Sequence, residues 1–314
     1  MNKPVQTSEL DGAASKGPRL VLFVEDGGGD WHARRLRKAL EARGATVVTT
    51  TLAVCAFDTR MPCGLDIPGF AGTLPDGAFV RSVSTGTLEQ ITLRLGILHA
   101  LRESGVRVWN DARAIERCVD KSTATFLFQK AGLPTPTTRV AEGFEPALAY
   151  ATALNAPLVV KPLFGSQGNG IRRATSPNEL PSPDEVGNVY YMQNYLRSPD
   201  ATEFEDWRVF VSRGRILAAM VRRGKTWITN VHQGAAPAPH EPCDEMEDLA
   251  LRAVVAIGAD YAGVDLIRSS EGQLMVLEIN SNPAWKGLQS VTSVDIADTL
   301  AADFIEALQT SQPK

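Results

Sequence analysis

The sequence predicts an α/β protein built from two or three subdomains, and three observations predict it. A chain of 314 residues is long for one hydrophobic core. Near its start, an apolar strand, a glycine run, a helix and a β-branched strand follow one another, the order that builds a parallel sheet. Towards its end, two apolar runs flank a turn and read as a hairpin that carries acids among aliphatics.

The first unit begins with a strand over Arg19–Val24. Asp26-Gly27-Gly28-Gly29-Asp30 follows, and then a helix from about Trp31 with Leu36 and Leu40 at helical spacing. Gly44 ends that helix, and Thr46–Thr50 is a β-branched strand. The triple glycine lacks the G-x-G-x-x-G spacing of a dinucleotide fingerprint. It reads as a tight turn whose following helix N-terminus can meet an anionic group. Residues 51–76 are rich in Gly, Pro and Cys and read as irregular structure. Ala78–Arg81 is a short strand, Leu88–Glu103 a helix and Val106–Trp109 a strand. A helix containing Asp120-Lys121 stops at Gly132 and the prolines beyond it. Leu158–Lys161 is a strand, Phe164–Ile171 a glycine-rich turn, and Asn188–Leu196 a Tyr-rich strand. Trp207–Val211 and Arg215–Val221 form a hairpin. A helix over about Glu245–Gly258 precedes the acidic hairpin, and a last helix runs from about Val294 to Leu308.

Composition narrows the function. The chain is 44% hydrophobic and 22% charged, with a formal net charge of −4 and a pI near 5.7. That balance argues against nucleic acid or an anionic membrane as partner. No apolar run approaches the length of a membrane span. Residues 1–17 are polar, lack the apolar core of a signal peptide and read as a disordered tail. Four scattered cysteines without a Cys-x-x-Cys suggest reduced thiols in a cytoplasmic protein.

The chemistry concentrates in four places. Asp265 lies on one strand of the acidic hairpin. Glu278 and Asn280 lie two residues apart on the other, so alternation puts them on one face. Two carboxylates and an amide oxygen suit Mg²⁺, with Mn²⁺ as an alternative; the plain alternative is a pair of solvated strand acids. Lys161 ends a strand just before Gly165-Ser166-Gln167-Gly168-Asn169-Gly170, where bare backbone N–H groups can approach phosphate oxygens beside the ammonium. A surface hairpin would read the same way. Lys121 is a candidate second phosphate ligand, or an ordinary solvated helix lysine. Asp206 and Arg208 share a strand face, and Arg222 lies near the end of the next strand. They can hold anionic substrate groups or form a cross-strand salt bridge. Together these parts point to ATP-dependent activation of a carboxylate as its acyl phosphate.

In this order the motifs resemble the ATP-grasp ligases, most closely the RimK-type α-L-glutamate ligases, over about Arg19–Leu308. The resemblance implies an ATP-grasp fold behind an N-terminal Rossmann-like (pre-ATP-grasp) domain. It divides the chain into residues 18–112, a lid-bearing domain over 113–190 and a metal-bearing domain over 191–314. It makes Lys121 and Lys161 the ATP lysines, and Gly165, Ser166, Gln167 and Gly168 the phosphate-covering loop. Gln193-Asn194-Tyr195-Leu196 falls at the hinge whose backbone holds adenine, and Asp206-Trp207-Arg208 matches the family's Asp-x-Arg. Asn230 lies in the stretch ahead of the metal site, and Asp265, Glu278 and Asn280 match the metal ligands. Arg222 is expected to steady the tetrahedral oxyanion. Ile228 stands where an arginine is frequent in RimK-type enzymes, so a substrate carboxylate is held differently here. Pro283-Ala-Trp-Lys-Gly-Leu-Gln289 resembles a subgroup of ligases that add glutamate to tetrahydromethanopterin-type cofactors. The implied partners are L-glutamate and a small-molecule carboxylate acceptor in cofactor biosynthesis, with a homo-oligomer allowed. Lys286 and the Gly27–Gly29 turn are candidates for meeting the acceptor's negative groups. A ribosomal protein tail, a dipeptide product, or a non-catalytic ATP-binding module are the rival readings.

Overall fold

A computed structural model describes residues 17–25, 30–165, 168–196 and 202–310. Residues 1–17 and the Gly27–Gly29 turn fall largely or wholly outside that range, as do Ser166 and Gln167.

The chain opens with β1 (Arg19–Val24), α1 (Trp31–Ala42) and β2 (Thr46–Thr51). The segment expected to be irregular holds a two-stranded ribbon of β3 (Ala56–Phe57) and β4 (Leu65–Asp66), too short for its composition to announce. Then come β5 (Gly77–Val80), α2 (Leu88–Glu103) and β6 (Arg107–Trp109). The sheet is parallel, in the order β2-β1-β5-β6. Strand β1 is buried on both faces from Leu20 onward. Leu20, Leu22 and Val24 pack with Leu36 and Leu40 of α1, while Val21 and Phe23 face Ile97, Leu98 and Leu101 of α2. A continuous apolar strand between helical layers is the signature of a parallel sheet. Side-chain caps start the helices: Asp30 accepts from Ala33 N at 2.9 Å, and Thr87 with Gln90 forms a capping box.

Next are α3 (Ala112–Val119), α4 (Lys121–Lys130), β7 (Thr138–Glu142), α5 (Phe144–Leu154), β8 (Leu158–Lys161), β9 (Arg172–Ala174) and β10 (Val189–Asn194). The four strands form an antiparallel sheet, β7-β10-β8-β9. Its alternation is clean. Leu158, Val160, Tyr190 and Met192 pack with Ala147 and Ala151 of α5, and Val159, Lys161 and Gln193 face the opposite side.

The last unit contains β11 (Phe204–Ser212), β12 (Arg215–Gly224), β13 (Ala236–Pro239), α6 (Asp244–Ile257), β14 (Tyr261–Arg268), β15 (Leu274–Asn280), α7 (Lys286–Gln289) and α8 (Ile296–Thr310). Its five strands run β13-β12-β11-β14-β15, all antiparallel. One face carries Trp207, Val209, Val211, Val264 and Leu266 against α6. Ala114, Cys118, Ala124 and Phe128 of α3 and α4 join that same core. Strand β10, which spans residue 190, belongs to the central sheet. Helix α8 returns to the first sheet, where Phe304 meets Phe79 and Trp109 at ring-centroid distances of 5.3 and 5.4 Å.

Asn110, fully buried, fastens the first sheet to the third. Its amide donates to the carbonyls of Tyr261 (2.8 Å) and Ser281 (2.7 Å), and its oxygen accepts from Asp260 N (2.6 Å) and Tyr261 N (3.2 Å). Removing it strands several buried backbone groups at once. Asn110→Ala should therefore cost about 3 kcal/mol of unfolding free energy or more, measured by chemical denaturation. A loss below ~1 kcal/mol would mean that the sheets hold together without this clamp.

Candidate active site

A cleft of about 1090 Å³ opens among the three sheets. That is at or above the size of a single small-molecule site, so there is room for more than one ligand. Every described site residue expected from the sequence lines it: Lys121, Lys161, Gly165, Gly168, Gln193, Asn194, Tyr195, Asp206, Arg222, Asn230, Asp265, Glu278 and Asn280.

Its charged floor is the face of the third sheet opposite the core. Cross-strand register sets Arg222 opposite Asp206, Arg208 opposite Asp265, and Asp265 opposite Glu278. Arg222 reaches both oxygens of Asp206 (Nε–Oδ1 2.7 Å, Nη2–Oδ2 2.5 Å) and also Asp265 Oδ2 at 3.1 Å. Arg208 grips Asp265 bidentately, with Nη2–Oδ2 at 2.7 Å. Gly263 makes room for it, because a Cβ there would lie 3.0 Å from Arg208 Cδ and 3.0 Å from Pro283. All four charged groups are buried. Burial pushes the Asp265 carboxyl up, but the guanidiniums of Arg208 and Arg222 outweigh it and hold the group below its ordinary value. Burial prevails at Asp206, whose carboxyl is raised despite Arg222. The expected salt bridge at Arg222 is thus present, and its partners are acids of the site itself.

A β-bulge aims the other acid. Leu266 faces Val276 and Asp265 faces Glu278, which leaves Leu277 as the extra residue. Leu274 and Val276 point into the core. An unbroken period of two would send Glu278 and Asn280 after them. The bulge turns both to the cleft, and Leu277 with them.

The lysines come from two different layers. Lys161 is buried and donates to Gln193 Oε1 at 2.7 Å. The Gln193 amide donates in turn to Tyr191 Oη (2.9 Å) and Thr138 Oγ1 (3.1 Å), which fixes its orientation. Burial pushes the Lys161 ammonium down to about 8, against the pull of Glu278. Lys121 is lowered by burial too, opposed by Glu278 and Asp120. Its ammonium donates to the carbonyls of Leu163 (3.1 Å) and Gly165 (3.0 Å), tying the helix start to the glycine turn. Asn230 Oδ1 accepts from His232 N at 2.8 Å.

At the hinge, part of the backbone is already committed. The N–H groups of Asn194 and Tyr195 are taken up by Thr137 O and Pro157 O, both at 3.0 Å, so those two donors do not hold a base. Asn194 Oδ1 and Tyr195 Oη are buried without partners. Sequence reasoning named Lys286 and the glycine turn before Asp30, but not Asp30, His32, Arg81, Ser82 and Asn282, which line the far wall of the cleft.

The hard-oxygen donors fit Mg²⁺ in chemistry. Asp265 already accepts three N–H groups of roughly four that a carboxylate can take, so Glu278 and Asn280 are the less committed ligands. Asn280 Nδ2 is buried without a partner. Among the described residues no three His, Cys, Asp or Glu gather as a metal group. The expected set, with its amide, is of a different composition.

The family model for the RimK-like ATP-grasp domain matches residues 118–304. The chain belongs to this family. The tetrahydromethanopterin:alpha-L-glutamate ligase of Methanococcus maripaludis is 35% identical over 229 residues, 71% of this chain and 76% of that one. A probable alpha-L-glutamate ligase of Shewanella denitrificans is 30% identical over 88% of this chain and 91% of its own. Among solved structures, the ATP-grasp ligase PsnB complexed with minimal precursor, Mg and ADP superposes with a TM-score of 0.67 at 20% identity. The match covers 93% of this chain and 97% of PsnB. The chain is therefore an ATP-grasp ligase, a carbon–nitrogen bond-forming enzyme of a family that uses ATP and Mg²⁺. No described helix is long and apolar enough to cross a membrane.

Lys161 gives a pH test. Its ammonium titrates near 8 in the fold and near 10.4 in the unfolded chain, so the unfolded state holds more protons between those values. Stability of the unliganded protein should rise with pH across that window. The rise should shrink in Lys161→Met, as read from denaturant midpoints in matched buffers.

Proposed function

We propose that this ligase joins the amine of L-glutamate to the carboxylate of a small anionic acceptor, in the biosynthesis of a tetrahydromethanopterin- or methanofuran-type C1 cofactor. The observation that carries the reading is the charge layout of the cleft: two lysines from separate layers and a row of acids and arginines on one sheet face. The named activity of the relatives at 35% identity supports the substrates. A ribosomal protein tail and a dipeptide product remain the rival acceptor and product.

The acceptor carboxylate attacks the γ-phosphate of ATP, giving an acyl phosphate and ADP. The glutamate amine then attacks the acyl carbon, and phosphate leaves as the amide forms. Lys161 and Lys121 offset charge on the phosphates. Gln193 holds the Lys161 ammonium in place. Glu278 and Asn280, with a share of Asp265, would hold Mg²⁺ or Mn²⁺, which would supply Lewis-acid neutralisation of phosphate charge. Arg222, fixed by Asp206, steadies the oxyanion of the second step.

ADP release should require both a carboxylate and an amine, and glutamate should be incorporated into a small molecule detected by mass spectrometry in a cell extract. Label found only in protein would favour the ribosomal-tail reading, and no dependence on an amine would defeat the ligation scheme. Glu278→Gln should abolish turnover with the melting temperature unchanged. Arg222 carries a sharper expectation: Arg222→Ala should lower kcat by on the order of 10²–10³ with little change in ATP affinity. Weak ATP binding with kcat preserved would reassign that arginine to the nucleotide.

A further inference from the structure

We infer that Arg81 and Asp30 form the binding subsite for the amino-acid substrate, with Arg81 taking a carboxylate and Asp30 facing the ammonium. The inference rests on the ligase reading and deepens it.

Topology points to the place. Strand β1 has β2 on one side and β5 on the other, so the chain leaves β1 in one direction and later crosses back. Open α/β sheets bind ligands at such a switch point, beyond the carboxyl ends of the strands. Arg81 follows the last residue of β5, and its N–H donates to Phe23 O at 2.9 Å, beside the end of β1. Asp30 opens the helix that follows β1.

The side chains at this point are underused. Arg81 is 8% exposed, yet it lines the cleft. Nη1 donates to Asn282 O at 3.1 Å, Nη2 lies a long 3.5 Å from Asp30 Oδ2, and Nε is buried without a partner. A guanidinium offers five donors in a fork that matches a carboxylate. Leaving it so poorly matched indoors is costly unless a ligand completes it. The Trp285 ring, 5.2 Å from the guanidinium carbon, backs the fork.

Asp30 decides between two anionic occupants. Burial pushes its carboxyl up, but hydrogen bonds from His32 and Ala33 N and the charge of Arg81 hold it far below its ordinary value. His32 Nε2 accepts from Trp285 N (3.1 Å) and Lys286 N (3.2 Å), so its proton sits on Nδ1, 2.6 Å from Asp30. A dianionic acceptor fragment would meet Asp30 unfavourably. An α-amino acid carries both charges and fits the pair.

Titrate L-glutamate into the full chain with Mg-ADP present. The wild type should bind, and Arg81→Gln should weaken glutamate by about tenfold or more, the cost of a lost charge-assisted bond. Affinity for ADP should stay the same, and Arg81→Lys should recover part of the loss. In turnover, the preference for glutamate over its α-amide should collapse in Arg81→Gln, a ratio that a merely structural arginine would not move. Asp30→Asn keeps a good helix cap and, in binding, should erase the preference for glutamate over glutarate, a probe that lacks the ammonium and cannot be ligated as an amine. The absence of glutamate binding in the wild type overturns the subsite. So do variants that keep wild-type affinities and preferences. Failure of the ligase reading shows separately, as ADP release that ignores the amine.

Discussion

The alternating row Arg222–Asp206 and Arg208–Asp265 is the constraint on which the cleft depends. Four buried charges on three neighbouring strands are tolerable only because each acid meets a guanidinium across the ladder. Remove one partner and a charge is left in a poorly solvated wall. The row therefore fixes the register of β12, β11 and β14 as firmly as the core beneath it, since a one-residue slip would send acids into the aliphatic face. It also fixes the electrostatics. The two arginines and two aspartates balance, and Glu278 and Asp120 lie against the two lysines above them, so the phosphate end of the cleft carries no large excess of positive charge.

That balance has a functional consequence. A polyphosphate with its metal brings charge of both signs, and a site that held several free cations would bind phosphate without releasing it. Here the arginines are already satisfied, and Lys161 is depressed towards neutrality by burial. Nucleotide binding and charge on Lys161 then support each other: phosphate raises the cost of losing the proton, and the proton strengthens the grip. The layers meet around this point. Lys121 reaches across from the core of the third sheet to the glycine turn of the second, and Asn110 anchors the first sheet to the third.

Much of this could be read from the sequence, because alternation is local physics. The positions of Asp206, Arg208 and Arg222 follow from period two in strands, the buried run of β1 from its unbroken aliphatic stretch, and the stripe of α1 from helical spacing. Glu278 and Asn280 follow only as a pair. Counting from Leu274 and Val276 puts them in the core, and nothing in Leu-Met-Val-Leu-Glu-Ile-Asn announces the bulge at Leu277. Strand β7 and helix α5 escaped the sequence reading, and the ribbon of β3 and β4 did too, since such short or weakly patterned stretches fold by tertiary packing. At the hinge, which backbone N–H groups remain available depends on Thr137 and Pro157, residues far from it in sequence.

The far wall shows the same limit from the other side. Asp30, His32, Arg81 and Trp285 are scattered over more than two hundred residues and share no motif. They meet because the switch point of the first sheet lies opposite the loop after β15. His32 is spent on geometry. Its ring bridges the start of α1 to the start of α7 and has no free nitrogen for catalysis. Arg81 is different: its burial is not explained by what it touches. A protein that holds a guanidinium indoors at the end of a strand, half matched and facing a cleft, has placed its selectivity there. The family model covers residues 118–304, which hold the second and third sheets, and Asp30 and Arg81 lie outside it, at the first.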